Sequence, residues 1–264
     1  MSGQENQSLY LEERHDAILK LLEDETSVSV NDLSVRFGVS SATIRKDIKA
    51  LERLGKLRRT HGGAIRTSAD GTEVLFDAAR AVAHREKTRI GRAAARFVSD
   101  GDTILVQSGT TCLELVRALD GRRDVTLITC DMAVAMEAEA KLVESSIILI
   151  GGILRVGYHY AQGSEAIAQL EQYHVPTAFL CGNAFSLAHG LTAHRMEQAN
   201  WVQTQMMVSD RHILLMDSSK MGQSALAHAA DLTDIDVLVT DEGVDDQMRS
   251  GLAQAAPHLE VIYA

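Results

Sequence analysis

Apolar residues between Leu11 and Glu23 fall at Ile18, Leu19, Leu21 and Leu22, a spacing that predicts an amphipathic helix. Ser27-Val28-Ser29-Val30 alternates polar and apolar, as a short strand does. Asn31 then offers a cap for a second helix over 32–37, with Leu33 and Phe37 facing inward and Gly38 ending it. Ser40 caps a third helix from Ser41 to about Leu54, buried along Ile44, Ile48, Leu51 and Leu54, and Gly55 closes it. The short turn at 37–40 sets these two helices at a steep angle, the arrangement that lets the second enter a major groove. Alternation on either side of Gly62-Gly63 predicts a two-stranded wing.

Beyond a polar stretch the pattern changes to short, mostly apolar runs separated by helical periods. The runs are 103–106, 125–129, 147–150, 178–180, 213–216, 237–240 and 260–263; helices are expected at 111–119, 132–142 and about 197–208. Such runs predict a mostly parallel sheet buried on both faces in a doubly wound α/β domain. The organisation expected is a winged helix-turn-helix domain over 1–66, a linker over 67–86 and an α/β effector-binding domain over 87–264.

Charge sharpens the first module. The chain of 264 residues carries a net charge of −10, yet residues 36–66 hold nine basic and two acidic side chains. A local basic stripe on an acidic protein is the footprint of a small DNA-binding module. Ser41 and Thr43 are short enough for close approach to base edges, and Arg45 suits a bidentate contact to guanine. Lys46, Lys49 and Arg53 are placed to neutralise phosphates, and Arg58, Arg59 and His61 belong to the wing. The partner expected is double-stranded operator DNA, read by a homo-oligomer, dimer or tetramer, because one such helix covers only a half-site.

Ligands on parallel sheets bind at the carboxyl ends of strands. There Gln107-Ser108-Gly109-Thr110-Thr111 leads into a helix, offering hydroxyls and a helix N-terminus to an anion. Cys130 and Asp131 end another strand, Asp131 as a ligand contact or a cap; Gly152 ends a third. Lys220 supplies a cation, and His194 lies close to Glu197. The polar N-terminus lacks a signal peptide's pattern, and no run reaches the ~18 apolar residues of a membrane span, so a cytoplasmic location is expected. Cys112, Cys130 and Cys181 lack the spacing of metal ligands and read as buried thiols. No metal or cofactor is expected. The single tryptophan, Trp201, reads as core or interface, with interface favoured.

The stretch RHDAILKLLEDETSVSVNDLSVRFGVSSATIRKDIKALERLGKLRRTHGGAI strongly resembles the N-terminal signature of the DeoR family of bacterial sugar-responsive regulators. REKTRIGRAAA, DGDTILVQSGTT, LITCDMAVA, IILIGG, HGLTAHRMEQA, LLMDSSKMG and LVTDEG resemble its effector domain, itself similar to ribose-5-phosphate isomerase. The resemblance implies a sugar-phosphate effector, with Ser108, Gly109, Thr110 and Thr111 on phosphate and Glu197 and Lys220 near the sugar. It implies a repressor of carbohydrate catabolism genes. The chain departs from the family at Gln107, where an acid is usual, at Cys130, where Asn is common, and at Cys181-Gly182-Asn183-Ala184-Phe185, which replaces Gly-Ala-Asp-Gly-Ile. Gln107 and Asn183 are amides, which cannot act as general bases, so a regulator is expected rather than an enzyme.

Overall fold

The computed structural model describes residues 11–25, 27–53, 56–60, 62–66 and 75–264. The chain forms two compact units, 1–82 and 83–264.

The first unit contains α1 (Leu11–Asp24), β1 (Ser27–Ser29), α2 (Val30–Phe37), α3 (Ser41–Arg53), β2 (Leu57–Arg59), β3 (Gly63–Arg66) and α4 (Phe76–Ala81). Ile18, Leu22, Leu33, Phe37, Ile44, Ile48, Leu51 and Leu57 form one buried core. Gly38 takes the left-handed conformation at φ 62° and ends α2 as the sequence predicts. The cap at the other end differs from expectation. Helix α2 starts at Val30, whose side chain is buried, so Ser29 rather than Asn31 is the N-cap and its hydroxyl accepts the Asp32 N–H at 3.1 Å. Ser40 caps α3 by accepting the Thr43 N–H at 3.1 Å. Leu54 and Gly55 lie outside the described residues.

The wing is a three-stranded antiparallel sheet in the order β1-β3-β2, because β1 joins the two expected strands. A Cβ on Gly63 would stand 1.9 Å from the Val28 carbonyl oxygen, whereas one on Gly62 would meet nothing within 4 Å. Gly63→Ala is therefore expected to cost about 1–3 kcal/mol by forcing β1 from β3. Gly62→Ala should stay within about 0.5 kcal/mol. Urea unfolding midpoints check both, and equal midpoints would contradict the close approach.

Helix α4 lies within the first unit, and the second unit has α5 (His84–Ala94) as its first helix. Its strands and helices are β4 (Thr103–Val106), α6 (Thr110–Arg117), β5 (Thr126–Thr129), α7 (Met132–Lys141), β6 (Ser146–Leu149), β7 (Ile153–Leu154), β8 (Ala161–Gln162), α8 (Ser164–Leu170), β9 (Val175–Leu180), β10 (Ala184–Ser186), β11 (Gly190–Ala193), α9 (Met196–Met207), β12 (Ser209–Leu215), β13 (Ala227–Ala230), β14 (Val237–Thr240), α10 (Asp246–Ala255) and β15 (Glu260–Tyr263). Seven strands form a parallel sheet in the order β15-β14-β12-β9-β4-β5-β6.

Leu105, Ile128, Ala178, Leu180, Leu214 and Leu238 share a core with Ala166 of α8, Ala199 and Val202 of α9, and Leu252 of α10. Their chain neighbours Ile104, Leu127, Phe179, Ile213 and Val239 are buried as well, and α5 packs on β12 and β14. Burial of both residue sets is the reason the central strand runs are mostly apolar, whereas the edge strands β6 and β15 stay partly exposed. Trp201 lies in this core at 6% exposure, which corrects the preference for an interface. A small antiparallel sheet, β10-β11-β13, was not foreseen, since its residues carry no clean alternation.

The chain order reverses beside β4. From β4 it proceeds outward to β5 and β6, then returns to lay β9 on the other side and continues outward again. Such a reversal, at the carboxyl ends of these two strands, is where open parallel sheets bind ligands.

Candidate nucleic-acid interface and effector site

Helix α3 exposes Arg45, Lys46 and Lys49, while Ile44, Ile48 and Leu51 are buried in the core. Ser41 and Thr43 are half-buried at its start, and the Thr43 hydroxyl lies 2.9 Å from that of Ser40, within the cap. Arg59 is exposed on β2; its backbone N–H donates to Glu52 at 2.9 Å, and its guanidinium stands 3.7 Å from the same carboxylate. Glu52 thus ties the wing to α3. The side chains of Arg53 and Arg58, and all of His61, lie outside the described residues.

Behind the exposed face sits a buried ion pair. The Arg14 guanidinium donates to both Asp47 oxygens, at 2.6 and 3.1 Å, and His15 Nε2 lies 3.4 Å from Asp47. Asp47 sits on α3 and Arg14 on α1, so this contact fixes the rotation of the exposed helix. The hydrogen bond to Asp47 raises the Arg14 pKa above its ordinary value despite burial.

In the second unit, Gln107 is buried at the end of β4, and its Oε1 accepts the Cys181 N–H at 3.0 Å. This amide bridges the ends of β4 and β9. Gly109 opens α6 with φ 141°, and its N–H donates to Asp131 at 3.2 Å. Asp131 also accepts the Ala133 and Val134 N–H groups, at 2.8 and 3.2 Å. It is fully buried and caps α7. Burial pushes its carboxyl above the usual range, opposed by these hydrogen bonds. Thr110 and Thr111 form the first turn of α6, and the buried Thr111 hydroxyl has no hydrogen-bond partner.

Lys220 Nζ donates to the Gly182 carbonyl at 2.8 Å and stands 4.0 Å from Asp217. Burial works against ionisation of Asp217, but the charges of Lys220 and Lys87 hold its carboxyl below the usual range. Asn183 is half-buried two residues beyond Cys181, and Cys130 is buried at the end of β5. Gly152 is exposed before β7, and His194 is half-buried after β11. Glu197 begins α9 with its side chain 53% exposed, 3.2 Å from Arg195. Its own backbone N–H, and then Arg195, hold its carboxyl low.

The contacts thus bring Gln107, Ser108, Gly109, Asp131, Cys130 and Lys220 together; Gly152, His194 and Glu197 stand on other elements. Sequence reasoning gave no site role to Lys87 or Asp217, and it read Cys112 as a buried thiol, which it is. Lys87 carried a signal. It lies three and four residues before the buried Ile90 and Gly91, on the inward face of α5, where a lysine is rare unless paired.

Among the described residues, no group of three or more His, Cys, Asp or Glu side chains is arranged to hold a metal ion, and no helix is long and apolar enough to cross a membrane.

The profile of the DeoR-like helix-turn-helix domain matches residues 14–69, and that of the DeoR C terminal sensor domain matches residues 82–242. The HTH-type transcriptional regulator YulB of Bacillus subtilis is 34% identical over 88% of this chain and 90% of its own. The transcriptional repressor AccR of Agrobacterium fabrum is 33% identical over 88% and 90%. The HTH-type transcriptional repressor GlcR of Bacillus subtilis is 32% identical over 88% and 89%. Among solved structures, ribose 5-phosphate isomerase A from Neisseria gonorrhoeae aligns at 14% identity over 52% of this chain and 53% of that chain, with a TM-score of 0.35. With a winged helix-turn-helix at one end and a sensor domain at the other, the chain belongs to the DeoR family of DNA-binding transcriptional regulators.

Proposed function

We propose that this regulator represses carbohydrate catabolism genes and that a sugar phosphate, or a related sugar metabolite, sets its operator affinity. The observation that carries the effector reading is the reversal of strand order beside β4. There the first turn of α6 holds the buried, unpartnered Thr111 hydroxyl, and the Lys220 ammonium bonds Gly182 in the loop after β9. Helix N-termini and ammonium groups both favour a phosphate. Relatives named as transcriptional repressors support the direction of control.

The protein works by linkage. An effector that prefers the arrangement with weak DNA affinity lowers operator occupancy by its differential affinity for the two arrangements. Catalysis is not part of this reading: Gln107 is engaged with the Cys181 N–H, and Asp131 with three backbone N–H groups. Two copies, or four, reading a palindromic operator in the cytoplasm complete it.

Fluorescence anisotropy with duplex from the upstream region of the chain's own operon tests the DNA side. Arg45→Ala should cost about 1–3 kcal/mol and relax preference at one base position, while Lys49→Ala should weaken all sequences alike and reduce the salt slope by about 1. Equal losses on specific and random duplex for Arg45→Ala would remove it from base readout. A thermal-shift series of sugar phosphates against the matching free sugars tests the effector side. A ligand at 100-fold its Kd should add about 2.7 kcal/mol of stability; no shift with any phosphorylated sugar would sink the sugar-phosphate reading.

A further inference from the structure

Helix α5 packs against α6, β12 and β14. Lys87, Ile90, Gly91 and Ala94 form its buried face. The packing is close: a Cβ on Gly91 would stand 2.4 Å from the Glu114 carbonyl carbon, so α5 lies directly on the backbone of α6. The rotation of the helix is thereby fixed, and its outer face with it.

That outer face is basic along its whole length. Between residues 84 and 97 the exposed side chains are those of His84, Arg85, Arg89, Arg92 and Arg96, and no others. Residues three and four apart share a helix face, so the four arginines form one row, about 16 Å long. Arg211 of β12 extends the row. The Arg96 and Arg211 guanidinium carbons stand 5.0 and 5.1 Å from the centre of the Phe97 ring. Acidic neighbours do not cancel the charge. Arg89 lies 3.9 Å from Glu86, and a single carboxylate, Glu260, serves both Arg96 at 3.2 Å and Arg211 at 3.8 Å. Among the described residues, Arg85 and Arg92 form no ion pair. Residues 83–264 hold 14 basic and 23 acidic side chains, so the row opposes the charge of the unit that carries it. Cations anywhere on the surface would relieve self-repulsion; their concentration on one helix face matches an anionic partner.

We propose that the arginine row of α5 is a second DNA-binding surface, which holds the phosphate backbone without reading sequence. Guanidinium groups pair with phosphate through parallel N–H···O bonds. Duplex DNA suits a row of this length, because each strand carries one negative charge per ~3.4 Å of axis and several phosphates can be met at once. It is also the polyanion that the other end of the chain holds. The first unit ends at Val82 and α5 starts at His84, so duplex bound by the helix-turn-helix is presented to α5 at high local concentration. The row adds affinity and salt sensitivity but no sequence preference. It acts in this way whatever effector the sensor domain takes.

Fluorescence anisotropy of the full-length protein on a random-sequence duplex of about 60 base pairs, at about 50–200 mM salt, tests the proposal. Replacing Arg85, Arg89, Arg92 and Arg96 together by Gln should make the slope of log K against log salt shallower by about 3.6, or about 0.9 per contact. Over that range the unsubstituted protein should lose about 150-fold more affinity than the variant. Arg92→Gln alone breaks no ion pair and should change the slope by about 0.9. Arg123→Gln, which removes an exposed arginine paired with Glu144 at 3.0 Å, should leave it unchanged. All these sites are exposed, so melting temperatures should not move. An unchanged slope in the quadruple variant overturns the proposal; if that variant fails to fold, an unchanged slope in Arg92→Gln does so alone. An equal effect of Arg123→Gln overturns it as well, by reducing the row to net charge. So does a fall in oligomer mass of the quadruple variant in analytical ultracentrifugation, which would make the row a contact between copies.

Discussion

Replacing Asp47 by alanine is expected to remove about 3–5 kcal/mol from the first unit, most of what a small domain possesses. The Arg14 side chain is 8% exposed and Asp47 3%, so the substitution leaves a cation buried with its main counter-charge gone. The melting temperature should fall by well over 10 °C, and operator binding should be lost near that temperature. A count of charges predicts the reverse, because Asp47 is one of two acids in the basic segment and its removal would strengthen phosphate attraction. Asp16→Ala, at an exposed position on α1, serves as the control and should stay within about 0.5 kcal/mol. The double substitution Arg14→Met with Asp47→Leu should recover most of the loss, since no charge is then stranded. Thermal unfolding followed by circular dichroism reads all three. An unchanged melting temperature for Asp47→Ala would show that the pair does not hold α3.

The second large effect is expected at Gly109. Its φ of 141° is a conformation that residues with a Cβ rarely adopt, and an added Cβ would stand 2.5 Å from Cys181 Sγ. Gly109→Ala should therefore lose about 1–3 kcal/mol from backbone strain and a comparable amount from crowding against sulfur. Any stabilisation by a phosphorylated sugar should disappear with it. Repeating the substitution in Cys181→Ala should recover the crowding part and leave the strain, because the two residues touch and their effects do not add. If Gly109→Ala costs the same in both backgrounds, the close approach of β9 to the turn is wrong.

Residue type and short-range spacing account for what was legible in advance. Gly38 and Ser40 punctuate α2 and α3 because each acts within a few residues of itself. The apolar runs announced the parallel sheet because burial on both faces of its central strands leaves little room for polar positions. The Ser29 cap was missed for a local reason: Asn31 is an equally good capping type, and only the burial of Val30 decides between them. The remaining misses are long-range. Arg14 and Asp47 are 33 positions apart, and Gln107 and Cys181 are 74 apart. No spacing rule connects such pairs. Charge patterning also hid Lys87, because a basic residue near the start of an amphipathic helix passes for a solvated one until its neighbours are known to be buried.

The order of strands has a consequence for how the protein comes into being. The first unit completes its core between Ile18 and Ala64, so it can fold while the rest of the chain is still being synthesised. The effector site proposed beside β4 has no such local nucleus. One of its loops follows β4 and the other follows β9, which pairs with β4 only after every element from α6 to α8 has been made. Contacts so distant in sequence form late and slowly. A nascent chain therefore acquires its means of holding DNA well before its means of being told to let go.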